Sequence, residues 1–155
     1  MRFLDKLEEI LLGTGLAVMG LSVALQIFMR YVLNMPLVWS EEFARYIFVW
    51  ITFLGAAYGV RKGIHISMEF FFNKFPLKAQ KVVAVSTNVL AIAAFAYLLP
   101  TAIFFMIEQD PIASSAMQIP MSWLFAAVPV GCVLIILRLV IQTVQLVKGT
   151  RGGAV

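Results

Sequence analysis

Ionisable side chains that border long apolar runs are the places where this sequence could do chemistry, and one stretch gathers several. Residues 39–50, WSEEFARYIFVW, set Glu41 and Glu42 side by side at the head of an apolar run, with Arg45 on the following turn and Arg30 closing the preceding run. Adjacent carboxylates can bind a cation, pair with arginines, or face the positive end of a helix dipole. Arg45 follows Glu41 by four residues and Glu42 by three, both spacings that pair on a helix surface. Ser40 is placed to cap that helix. Two arginines balance two glutamates, so the residues read as a staple between two helices at a membrane interface, with Trp39 in the aromatic belt. Direct binding of a substrate or ion is the alternative reading.

Nothing else in the chain assembles into a reactive site. His65 is the one histidine and Cys132 the one cysteine, so an internal disulfide is impossible, and a metal or haem site within the chain is not expected. No glycine-rich phosphate loop and no nucleophile with a base nearby is present. The expectation is a protein that is not an enzyme and needs no cofactor.

The elements that must position these residues are membrane spans. Of the 155 residues, 62% are hydrophobic and 13% charged, with mean hydropathy +0.95, against about 25% charged in an ordinary soluble domain. Apolar runs of about the 20 residues needed to cross a bilayer predict one all-α membrane domain, residues 1–155, with four transmembrane helices near 10–33, 41–61, 78–107 and 121–147. The net charge of +4 follows the membrane rather than a nucleic acid, for which no partner role is expected. Arg2, Lys6, Arg61, Lys62, Lys74, Lys78, Lys81, Arg138, Lys148 and Arg151 flank one set of span ends, whereas the opposite set carries Arg30 and Arg45. Basic loops stay cytoplasmic, so both termini and the middle loop are expected there.

Small residues mark faces on which helices approach closely in lipid. Gly13, Ala17, Gly20 and Ala24 share one face of the first span, Gly55 and Gly59 one of the second, Ala84, Asn88 and Ala91 one of the third, and Ala127 and Gly131 one of the fourth. They predict a four-helix bundle, with docking of a second membrane protein as the sharper alternative. Pro100 and Pro129 are expected to bend or break their spans. In the middle loop, Ile64, Met68, Phe71, Phe72 and Phe75 recur at helical spacing. This predicts a short interfacial amphipathic helix near 64–75, with Lys74, Lys78 and Lys81 on lipid headgroups and His65 at its start.

The middle of every span lacks Asp, Glu, Lys, Arg and His, groups that an ion or proton transporter normally holds near the midplane. Transport by this chain alone is therefore not expected. The segment RYVLNMPLVWSEEFARYIFVWITFLGAAYGVRKGIHI resembles the small permease subunits of tripartite ATP-independent periplasmic (TRAP) transporters. The resemblance rests on Arg30-Tyr31, Asn34, Pro36, Trp39, Glu41-Glu42, Ala44-Arg45-Tyr46, Trp50, Gly55-Ala56-Ala57, Arg61 and His65-Ile66. It implies a scaffold subunit in the bacterial inner membrane. Its partners would be a large permease that carries the substrate and sodium sites, and a periplasmic protein that captures an organic acid. Arg30, Trp39, Glu41, Glu42, Arg45, Gly55, Gly59 and His65 would then contribute to helix stapling or to subunit contacts. Two rival readings are a stand-alone multidrug-type exporter dimer and the membrane anchor of a redox complex. Span one lacks the glutamate the first would need, and one histidine makes the second poor.

Overall fold

The computed structural model describes residues 2–62 and 77–148. The proposed interfacial helix near 64–75, with His65 and Lys74, lies outside them.

Helix α1, Arg2–Tyr31, ends where Asn34 takes a left-handed φ of 53°, a conformation Asn tolerates better than most residues. The reversal lets the Met35 amide reach the Met29 carbonyl at 3.0 Å. Helix α2, Val38–Lys62, starts just past Pro36 and runs antiparallel to α1. Helix α3, Leu77–Glu108, continues through Pro100 without interruption. A compact connection then leads to α4, Ser122–Phe125, and α5, Ala127–Val147.

Pro129 accounts for the division between α4 and α5. It has no N–H to donate to the carbonyl four residues back, and its ring crowds that carbonyl. The helix therefore breaks at Ala126, whose backbone nonetheless stays in the right-handed region at φ −59° and ψ −26°, so α4 and α5 together still form one crossing. Among the described residues, four stretches are long and apolar enough to span a membrane: Glu8–Tyr31, Val38–Val60, Lys81–Glu108 and Ser122–Val147. This is the all-α, four-span architecture expected from the apolar runs.

The packing corrects the expectation of a bundle. The closely packed long-helix pairs are α1 with α2, α2 with α5, and α5 with α3. The helices thus form an open row, α1–α2–α5–α3, with α1 and α3 at its edges. Burial follows that order: no residue of the most apolar windows of α1 and α3 is buried, against 17% for α2 and 33% for α4–α5. The small core lies between the two middle helices, where Ala57 and Val60 meet Ile135 and Leu139. Ala91, Ile92 and Phe95 of α3 pack on it from the side.

Two glycines allow close approach. A Cβ on Gly131 would stand 2.6 Å from the Cβ of Phe53, and one on Gly15 would stand 2.9 Å from Ile51 Cδ1. Gly13 and Gly20 have nothing within 4 Å of an added Cβ. The small face of α1 expected to pack within the chain is therefore open. Side-chain bonds supplement these contacts. Asn88 donates to Thr143 Oγ1 at 3.2 Å between α3 and α5. At the end of the row nearer the N-terminus, Arg138 pairs with Glu8 and Tyr58 donates to Glu9, tying α1 to both middle helices.

Candidate functional site

The polar residues singled out from sequence gather where α2 begins and the 109–121 connection folds over it. That connection is held by its own backbone. Ser114 N–H donates to Ile119 O at 2.9 Å and Met121 N–H to Ile112 O at 2.8 Å, and Ala113 and Pro120 form an isolated antiparallel bridge. Gln118 turns the chain with a left-handed φ of 54°. Ser114 is fully buried inside the turn.

This fold leaves a concave row of donors at 115–117, and Glu42 fills it. Its Oε1 accepts from the Ser115 hydroxyl at 2.6 Å and from Ala116 N–H at 3.0 Å, while Oε2 accepts from Met117 N–H at 2.9 Å. Backbone N–H groups in a turn need an acceptor, and a carboxylate is a strong one. Glu42 thus clasps the connection to the head of α2. A second tie lies nearby, where Trp50 Nε1–H donates to Trp123 O at 3.2 Å and joins α2 to α4. Ser122 donates to Asp110 at 2.7 Å and bridges the two ends of the connection.

The four-residue ion cluster does not form as the sequence reading drew it. Glu41 and Arg45 pair at 3.5 Å with side chains 65% and 60% exposed, an arrangement worth little in high dielectric. Arg30 is exposed at the end of α1 and makes no ion pair among the described residues. Glu42 turns instead to the three donors of the connection, because one carboxylate can satisfy all of them at once. Ser40 is not the helix cap: α2 begins two residues earlier, and the fully buried Ser40 hydroxyl donates back to Leu37 O at 2.8 Å. Trp39 is half-exposed and meets Phe43 edge-on, with ring centroids 6.3 Å apart.

Gly55 lies against Leu12 of α1, a Cβ there standing 3.8 Å from its Cδ2, whereas Gly59 has no such neighbour. Lys78 falls in the first turn of α3 and Lys81 is exposed one turn later. The residues that sequence reasoning missed are Ser115, Ala116 and Met117. Their one signal is a run of small polar residues after a Pro, in a loop with no basic residue to compete for a carboxylate. No group of three or more His, Cys, Asp or Glu able to hold a metal ion occurs among the described residues. What the geometry provides is attachment: one helix head and one connection locked into a single surface.

Comparison with known proteins fits that character. Residues 19–149 match the family model of the DctQ component of tripartite ATP-independent periplasmic transporters. The chain is 32% identical over 151 residues to the sialic acid TRAP transporter permease protein SiaT of Haemophilus influenzae, covering 96% of this chain but only 24% of that protein. It is 27% identical over 147 residues to the sialic acid TRAP transporter small permease protein SiaQ of Vibrio cholerae, with 95% and 85% covered. A C4-dicarboxylate TRAP transporter small permease protein, DctQ of Vibrio cholerae, is 31% identical over 98 residues, with 63% and 42% covered.

Proposed function

The chain belongs to the DctQ component family of tripartite ATP-independent periplasmic transporters, and on that premise we propose that it is the fixed small subunit of a transporter for an organic acid, driven by a sodium gradient. It is a multi-pass component of the bacterial inner membrane and a transport protein rather than an enzyme. In our reading, the substrate and sodium sites lie in a separate large permease. The observation that carries this reading is the open row of helices, whose edge helices have no fully buried residue in their most apolar windows, combined with spans that hold no Asp, Glu, Lys, Arg or His near their middle. A row of this kind extends a surface in the membrane plane. The permease of Haemophilus influenzae, of which this chain matches only 24%, is consistent with a function that needs more polypeptide than this one.

The exposed small-residue face of α1, Gly13, Ala17, Gly20 and Ala24, is the face we assign to the large subunit, since small faces allow close helix approach in lipid. Trp39, Arg30 and the Glu41–Arg45 pair flank the same end and would extend that contact at the interface. With both termini cytoplasmic, as the basic residues favour, the clasped 109–121 connection faces the periplasm. There it suits a soluble substrate-binding protein, because a docking surface held rigid costs less ordering on contact. Relatives named for sialic acid and for C4-dicarboxylates support an organic acid as substrate.

The test is Gly20→Leu, made in the chain expressed together with its chromosomal neighbours. The variant should fold like the parent in detergent, lose its large membrane partner on purification, and abolish uptake. Retention of both partner and uptake would contradict the assignment of α1.

A further inference from the structure

A cavity of about 320 Å³ opens beside the clasp, between the end of α3 and α4, lined by Met106, Ile107, Asp110, Ser122, Trp123 and Ala126. Its chemistry is divided. Met106, Ile107 and Ala126 supply an apolar wall that continues the exposed side of α3, where Phe104 and Ile107 are 63% and 60% exposed. Asp110 supplies a carboxylate at the rim, steadied by the Ser122 hydroxyl, and exposed Glu108 stands two residues before it. No Lys or Arg occurs between Lys81 and Arg138, and no ion pair joins either acid to a cation among the described residues. The rim is therefore net negative. Trp123 is 64% exposed, and its indole N–H has no acceptor among the described residues, although the Trp123 carbonyl is engaged by Trp50.

We propose that this cavity binds the headgroup of an amine-bearing zwitterionic phospholipid. Asp110 would receive the ammonium, the Trp123 indole N–H a phosphate oxygen, and the wall of α3 the first part of an acyl chain. The lining thus offers one group for each part of such a lipid: a carboxylate for the cation, an N–H donor for the anion and an apolar wall for the hydrocarbon. The site lies where α3 ends at Glu108, the level at which a Trp, with one apolar and one polar edge, belongs in a bilayer. An anionic lipid would bring no cation to Asp110 and would meet two carboxylates, so charge complementarity selects the amine headgroup. The inference does not depend on what the subunit transports.

The experiment uses the full chain, purified in detergent and stripped of lipid. It is titrated with phosphatidylethanolamine and with phosphatidylglycerol of the same acyl composition, and bound lipid is read by native mass spectrometry. The parent should retain the ethanolamine lipid in preference. Asp110→Asn should reduce that preference by roughly two- to fivefold, the range of a solvent-exposed charge pair, while leaving phosphatidylglycerol binding unchanged. Trp123→Phe keeps the ring, removes the donor, and should weaken both lipids together. Ser122→Ala leaves the carboxylate in place and should keep most of the preference. A photoreactive ethanolamine lipid should label the 106–126 segment of the unaltered protein, a readout that does not depend on any variant folding. Equal binding of the two lipids by the parent, a preference untouched by Asp110→Asn, or labelling confined to other segments would overturn the proposal. So would the finding that a protein partner covers Trp123 in the assembled complex.

Discussion

Replacing Gly131 with alanine tests the packing of the two middle helices most sharply. The added Cβ would stand 2.6 Å from Phe53 Cβ, 2.7 Å from Cδ1 and 2.9 Å from Cγ, where carbon atoms prefer about 3.5–4.0 Å. The shortfall is about 1 Å. The nearest obstacle is a Cβ fixed to the α2 backbone, so no side-chain rotation removes it, and the helices must separate. A gap of 0.5–1 Å forfeits about a quarter to a half of each dispersion contact, and the contacts at stake include those of Ala57 and Val60 with Ile135 and Leu139. Overpacking of this kind costs about 1–3 kcal/mol. In lipid, where close packing rather than water exclusion holds helices together, little offsets it. The assay is reversible unfolding of the full chain in mixed micelles, titrated with a denaturing detergent and followed by tryptophan fluorescence. Gly13→Ala and Gly20→Ala serve as controls, since an added Cβ meets nothing within 4 Å at either position, and should leave stability unchanged or raise it by up to about 1 kcal/mol, the helix preference of alanine over glycine. Equal stability of Gly131→Ala and Gly13→Ala would refute the argument.

The Glu42 clasp predicts a local rather than a global effect. Glu42→Ala should speed amide exchange at Ala116 and Met117, whose N–H groups donate to that carboxylate at 3.0 and 2.9 Å, while exchange in the middle of α5 stays as it was; unchanged exchange at both sites would count against the clasp. Glu41→Gln, which breaks only an exposed pair, should cost less than about 0.5 kcal/mol in the same detergent unfolding. Asn88→Val and Thr143→Val, combined in a double-mutant cycle, should couple by about 0.6 kcal/mol, the mean for hydrogen bonds between membrane helices, and a coupling near zero would mean the 3.2 Å bond adds no stability.

The four spans were legible because nothing but a membrane explains apolar runs of this length. Asn88 stood out as a polar group on a small-residue face, and it does meet another helix. What could not be read was which faces meet. Gly13, Ala17, Gly20 and Ala24 form a more regular stripe than Gly15, yet among the α1 glycines it is Gly15 that allows close approach within the chain, because a stripe does not say whether its partner is in the same polypeptide. The order of helices in the row is likewise a property of tertiary packing, with no local signature. Ser40 is suited to capping by type alone, but α2 already begins at Val38, so its hydroxyl turns back to Leu37 O. The role of Glu42 has no local signature either. Its partners lie more than seventy residues away and are mostly backbone N–H groups, which every residue but proline carries and which only a particular turn gathers together.

Whether this chain is a structural subunit rather than a transporter by itself can be measured directly. The chain is expressed with its chromosomal neighbours, purified by a tag in mild detergent, weighed by native mass spectrometry, and the preparation is reconstituted for uptake. The expected result is a one-to-one complex with a much larger membrane protein, and uptake that requires both of them together with a soluble binding protein. A homodimer without a larger partner that drives uptake or efflux when reconstituted alone would contradict it.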